Sequence, residues 1–86
     1  MQVLLRAMNS ETRMDALRLL LEKDDCVCHL AEKLRKDIST MSRHIEILEG
    51  SGLLKTWKEG RMLMCRIKRK DDLRQMIDLI ERLEAT

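Results

Sequence analysis

Apolar residues recur along this chain at helical spacing and change once to strict alternation. Val3, Leu4, Leu5 and Met8 predict a short first helix with apolar residues on more than one side. Asn9-Ser10 breaks it, with Ser10 as N-cap and Glu11 in the next first turn. Met14, Leu17, Leu20 and Leu21 carry a second helix to about Lys23, and Asp24-Asp25 separates it from the next. A third helix is predicted from Cys26 to Leu34, with Val27, Leu30, Ala31 and Leu34 inward. Arg35 to Asp37 then connect to a helix capped by Asp37, whose Met41, Ile45 and Leu48 fall at i, i+4 and i+7. Glu49-Gly50-Ser51-Gly52 ends it. Leu53 to Lys58 and Arg61 to Lys68 read as two strands across a Glu59-Gly60 turn. Their alternation puts Leu63, Cys65 and Ile67 on one face and Met62, Met64 and Arg66 on the other. Asp71 or Asp72 is expected to cap a last helix carrying Leu73, Met76, Ile77, Ile80 and Leu83. The predicted class is mainly α with a small β-hairpin, in the order α-α-α-α-β-β-α.

Eighty-six residues allow one small domain, taken as 1–86, that buries a modest fraction of its surface. With Trp57 the only aromatic residue, leucine, isoleucine and seven methionines must fill the core. Three glycines, no proline, 44% hydrophobic and 37% charged residues fit a helical chain and not a disordered one.

The net charge of +2 is unevenly spread: between Lys33 and Lys70 eleven lysines and arginines face four acidic residues, and the rest of the chain is net acidic. A basic middle between acidic ends is the footprint of a phosphate-binding face. No apolar run approaches membrane-spanning length and no basic segment leads an apolar core at the amino terminus, so no membrane partner is expected and the location read is cytoplasmic. Three cysteines make an odd number for a disulfide framework, and a reducing compartment leaves them as thiols open to metal or redox chemistry.

The helix after Asp37 carries the candidate chemistry. Ser39, Thr40, Ser42, Arg43 and His44 flank its buried stripe with hydroxyl, guanidinium and imidazole groups, which is what reading base edges in a major groove requires. Its connection to the preceding helix has helix-turn-helix length. Lys58 and Arg61 lie at the hairpin tip, placed for phosphate or minor-groove contacts as the wing of a winged helix-turn-helix. So short a chain leaves little core for its last helix to cover. A homodimer through the first and last helices is expected, with two recognition helices one turn apart on a double-stranded DNA palindrome. No glycine-rich phosphate loop or carboxylate pair with a pocket-forming scaffold supports an enzyme.

Four stretches together resemble the ArsR/SmtB family of winged-helix repressors, over essentially the whole chain: Ser10-Glu11-Thr12-Arg13, Cys26-Val27-Cys28-His29-Leu30, Ser39-Thr40-Met41-Ser42-Arg43-His44-Ile45 with Gly52-Leu53-Leu54, and Glu59-Gly60-Arg61. The resemblance implies a dimer on an operator near its own promoter, released by an inducer, often a soft metal ion or arsenite. It implies DNA contacts from Ser39, Thr40, Ser42, Arg43, His44 and Arg61; for His44 an interior hydrogen-bonding role stands beside the DNA contact. Ile38 departs from the family, which usually has a polar residue there.

Cys26 and Cys28 match two of the three thiols with which arsenite sensors of this family bind arsenic, and the third falls at Ala31. His29 lies where divalent-metal sensors place a carboxylate. Cys26, Cys28 and His29 are thus the candidate ligands for arsenite, zinc, cadmium or lead, with no organic cofactor implied. The chain starts too close to its first helix to supply ligands from an N-terminal extension, and no histidine follows His44 to build the family's site on the last helix. Residues two apart point to different sides of a regular helix, so joint use of both thiols is expected to unwind its first turn. Cys65 stands where the family commonly has tyrosine, and its alternation turns it inward. A dithiol redox switch on the same fold, and a winged-helix protein–protein module without DNA binding, are the alternatives.

Overall fold

Side-chain caps start two of the helices where the sequence places them. The computed structural model describes residues 2–85. After α1 (Gln2–Met8), Ser10 is extended and its hydroxyl accepts from the Arg13 amide at 3.2 Å, opening α2 (Glu11–Glu22). Asp37 likewise accepts from the Thr40 amide at 2.8 Å and opens α4 (Ile38–Gly50). Between them, β1 (Asp25–Cys26) leads into α3 (Val27–Leu34). The predicted order lacked β1, and the third helix begins one residue later than expected. Asp25 and Cys26 are drawn into extended backbone by pairing with Cys65 and Met64, and Cys26 becomes the N-cap, its Sγ accepting from the His29 amide at 3.4 Å.

Residues 35–37 make the tight turn of the helix-turn-helix. Arg35 takes a left-handed conformation, φ 57°, which is uncommon for a side chain with a Cβ. The Lys36 amide closes the end of α3 on the Ala31 carbonyl at 2.9 Å. Met41, Ile45 and Leu48 of α4 are all buried. They share one core with Leu17 and Leu20 of α2 and with Val27, Leu30 and Ala31 of α3. Each fully buried leucine of this kind is worth roughly 1.5–3 kcal/mol of transfer free energy.

α4 ends through Gly52, φ 91°, and the Leu53 amide returns to the Leu48 carbonyl at 3.3 Å. The wing follows as β2 (Leu54–Glu59) and β3 (Met62–Ile67), paired antiparallel from Leu54↔Ile67 to Glu59↔Met62. Its two-residue turn is therefore Gly60-Arg61 and not Glu59-Gly60. Gly60 has φ 62° and stands at the first turn position, where a positive φ suits glycine. β3 is central in a sheet ordered β1-β3-β2. Cys65 and Ile67 are buried and Leu63 partly so; on the other face Met62 and Arg66 are exposed as the alternation predicts, while Met64 is partly buried.

α5 (Lys70–Glu84) starts before either aspartate expected to cap it. Its first bond runs from the Leu73 amide to the Arg69 carbonyl at 3.0 Å, and Asp72 instead pairs with the Arg69 guanidinium at 2.6 Å. Leu73 and Ile77 join the core, whereas Leu79 remains 49% exposed. α1 is similarly divided: Ala7 and Met8 are buried, and Val3 and Leu5 are 64% and 53% exposed.

Candidate nucleic-acid interface and thiol pair

α4 turns its hydrophobic stripe inward and its polar residues outward. Ser39, Thr40 and Arg43 are exposed, and Ser42 and His44 are half-buried. The Ser39 hydroxyl donates to Asp37 Oδ1 at 3.2 Å. Bonds from the Thr40 hydroxyl and amide and from the Ser39 hydroxyl hold the Asp37 carboxyl below its ordinary value. The cap is therefore charged at neutral pH and stabilises the positive end of the helix.

Arg43, Lys58 and Arg61 are exposed and have no ion-pair partner among the described residues, and the same is true of Arg35 and Lys36 in the preceding turn. These charges are left for an external anion. Lys58 shares a strand face with Leu54, buried in the core, and with Thr56, whose hydroxyl donates to Glu49 of α4 at 2.6 Å. Arg61 is in the wing turn, one position off the predicted strand start.

His44 has the interior hydrogen bond that the sequence left open beside a DNA contact. Its Nδ1 lies 3.0 Å from Nη1 of Arg13, a residue of α2 that periodicity alone could not mark. Burial first, then the charges of Arg13 and Lys36, hold the imidazole below its ordinary value.

The thiols also differ from expectation. Cys26 Sγ and Cys28 Sγ are 2.9 Å apart with the helix intact. No unwinding is needed, because Cys26 is an extended N-cap and not a helical residue, which redirects its side chain toward Cys28. Cys26 is buried and Cys28 exposed. The bond to Cys26 pushes the Cys28 thiol above its ordinary value.

His29 does not turn its bonded nitrogen to the sulfurs. Nδ1 sits 2.7 Å from Asp25 Oδ2, and Lys33 Nζ is 3.6 Å from the same oxygen. Burial opposes the charge on Asp25. The bonds from His29 and the Cys26 amide and the nearby His29 and Lys33 charges outweigh it, so the carboxyl lies below its ordinary value. Among the described residues no group of three or more His, Cys, Asp or Glu side chains is arranged to hold a metal ion. The two thiols fit a soft, thiophilic ligand that takes two sulfurs and leaves its other positions to donors from outside. Cys65 is fully buried, and burial, with smaller contributions from Cys26, Asp25 and Glu49, pushes its thiol up to about 12. No helix among the described residues is long and apolar enough to cross a membrane.

A three-residue turn between α3 and α4, an exposed polar face on α4 and a basic-tipped hairpin define a winged helix-turn-helix of the DNA-binding type. Residues 10–56 match the family model for bacterial regulatory protein, arsR family. The chain belongs to that family, and is a DNA-binding transcriptional regulator and not an enzyme.

It is 34% identical over 79 residues to an uncharacterised HTH-type transcriptional regulator of Methanocaldococcus jannaschii, MJ1325, covering 91% of this chain and 88% of that protein. Vibrio cholerae HlyU, described as a transcriptional activator, is 33% identical over 81 residues, 94% of this chain and 74% of that protein. The HlyU structure matches with a TM-score of 0.81 at 32% identity, covering 98% of this chain and 90% of that one, and a structure of reduced HlyU gives the same score. A cadmium resistance transcriptional regulatory protein CadC homolog of Staphylococcus aureus is 34% identical over 59 residues, 67% of this chain and 49% of that protein.

Proposed function

We propose that the protein is a homodimeric, operator-binding repressor whose release is controlled at the Cys26/Cys28 pair. α4 enters the major groove. Ser39, Thr40, Ser42, Arg43 and His44 contact bases or phosphates, and Lys58 and Arg61 of the wing contact phosphate or the minor groove. The observation that carries the DNA contact is the Arg43 guanidinium, without an ion-pair partner among the described residues and outward on a helix whose opposite stripe is fully buried. The exposed Val3, Leu5 and Leu79 on α1 and α5 support pairing through those helices, since an apolar surface of this kind is costly in water.

The inducer is a soft species such as arsenite, cadmium, lead or zinc, bound by two sulfurs 2.9 Å apart one short helix before the DNA-reading element. A relative described as a cadmium resistance regulator supports this chemistry. Thiol oxidation is the second reading, favoured by the proximity of the same two sulfurs and by the HlyU structure described as reduced.

Titrating the reduced protein on its upstream promoter DNA with arsenite, zinc, cadmium and lead, and separately with hydrogen peroxide followed by dithiothreitol, tests both. Release by the first set, lost in Cys26→Ser/Cys28→Ser, supports soft-ion sensing; reversible release by peroxide alone supports the redox reading. Release by the same inducer from the double variant would remove the thiol pair from the mechanism. Transcription from that promoter with and without the protein gives the sign of regulation.

A further inference from the structure

Arg13 and His44 stand 31 positions apart, and all three nitrogens of the Arg13 guanidinium are committed within the chain. Nε donates to the Ala7 carbonyl at 2.6 Å and Nη2 to the Arg6 carbonyl at 3.3 Å. Both carbonyls belong to the last turn of α1, where the dipole favours a cation; the Arg6 carbonyl also accepts from the Asn9 amide at 3.2 Å. The third nitrogen, Nη1, faces His44 Nδ1 at 3.0 Å. Arg13 is thus a tie between α1, α2 and α4.

The chemistry of this contact fixes more than position. A guanidinium only donates and does not lose its proton. Nδ1 of His44 must therefore be the acceptor, which leaves the neutral ring with its proton on Nε2. Nε2 makes no hydrogen bond among the described residues, and no buried side-chain nitrogen or oxygen there lacks a partner, so Nε2 reaches the surface of α4. Burial and the neighbouring cations also disfavour a second proton on the ring.

We infer that Arg13 is a positioning residue for DNA recognition, holding His44 in the tautomer whose Nε2–H donates to an acceptor on the operator. That acceptor is a phosphate oxygen or the acceptor edge of a base, and the exocyclic amino groups of adenine and cytosine do not satisfy it. The inference rests on the reading of α4 as the DNA-contacting element.

The test is a double-mutant cycle on the full chain, read by operator affinity and by nitrogen-15 NMR of the two histidine rings, with His29→Gln assigning the signals. The wild-type protein should show His44 as the Nε2–H tautomer alone, and Arg13→Gln should introduce an Nδ1–H fraction. Arg13→Gln should weaken operator binding about tenfold, the scale of one lost hydrogen bond, but no more than about twofold in a His44→Gln background. Arg13→Lys gives the same cycle if Arg13→Gln fails to fold, because an ammonium lacks the planar fork that spans both carbonyls and the ring.

A His44→Gln loss equal on operator and scrambled duplex would identify a phosphate acceptor, and a loss confined to the operator a base acceptor. Either supports the inference. Fully additive losses, or an unchanged His44 signature in Arg13→Gln, would overturn it while leaving the DNA reading intact. A wild-type protein that bound no promoter fragment would overturn both.

Discussion

Arg66 and Asp24, 42 positions apart, meet through two guanidinium nitrogens, each 2.8 Å from Asp24 Oδ2. The Arg66 guanidinium also lies 5.0 Å from the centroid of the Trp57 ring, and Trp57 Nε1 donates to Glu59 at 2.7 Å. The wing is thereby tied to the segment that enters the thiol pair, and its one aromatic residue is held between a cation and a carboxylate. Arg66 thus has partners within the chain, unlike the other basic residues of the wing among those described.

Arg66→Ala should loosen the outer part of the wing without unfolding the protein, because β3 stays paired with β1. Exposed ion pairs contribute little to global stability. The expected result is a change in Trp57 emission and faster amide exchange across residues 56–64, with a nearly unchanged urea midpoint. A large fall in midpoint would mean that the tie holds the fold and not only the wing.

The two sides of α4 should respond to truncation very differently. Leu48 is fully buried, so Leu48→Ala is expected to cost about 2–5 kcal/mol, a large part of the roughly 5–15 kcal/mol available to a small domain. Ile47 is 41% exposed one residue earlier, and Ile47→Ala should stay within about 0.5 kcal/mol. Urea denaturation at fixed protein concentration measures both. Comparable losses would contradict the orientation of the helix.

Helical stripes and caps were legible because each is a local matter. Met41, Ile45 and Leu48 declare one face by spacing, and Ser10 and Asp37 need only amides three residues away. β1 was not legible, since two residues carry no period and Asp25-Cys26 are extended only because β3 offers them a ladder. That unseen pairing changes the chemistry: it makes Cys26 an N-cap and brings its sulfur to Cys28. The hairpin was read correctly but its turn was off by one, because both Glu59-Gly60 and Gly60-Arg61 contain the glycine. The residues proposed to face DNA were suggested by the chemistry of α4, whereas the link from Arg13 to His44 spans 31 positions and required the packed helices.

The three thiols should differ sharply in reactivity. Cys28 is exposed, while Cys65 is buried with its thiol pushed up to about 12, so almost no Cys65 thiolate is present near neutral pH. A colorimetric disulfide reagent at pH 8 should leave Cys65 unmodified until denaturant is added, and mass mapping should find Cys28 labelled before Cys65. Labelling of Cys65 in the native protein would show that the sheet opens over it.

Stability should fall on mild acidification because of His44. Its folded-state value lies below the ordinary 6.5, held there by burial and by the Arg13 and Lys36 charges. As pH drops below 6.5 the unfolded chain takes up a proton that the folded chain still refuses, so unfolding becomes easier until the folded value is reached and the loss levels off. His44→Gln should flatten this part of the pH–stability curve. An unchanged slope in the variant would assign the dependence elsewhere.

Salt dependence can separate phosphate contacts from base contacts at the interface. Each phosphate neutralised by a cation releases counterions, so log affinity falls with log salt at a slope that shrinks by about one unit when one such contact is removed. Arg61 and Lys58, exposed at the wing without ion pairs among the described residues, are expected to behave in this way: Arg61→Ala and Lys58→Ala should each reduce the slope by about one and weaken all duplexes alike. Arg43, exposed on α4, is proposed to reach a base edge, where a good bidentate contact discriminates by about 1–3 kcal/mol. Arg43→Ala should therefore reduce the ratio of operator to scrambled-duplex affinity more than either wing variant does. Fluorescence anisotropy at several salt concentrations measures both quantities, and an Arg43→Ala protein with wild-type affinity and specificity would remove α4 from the groove.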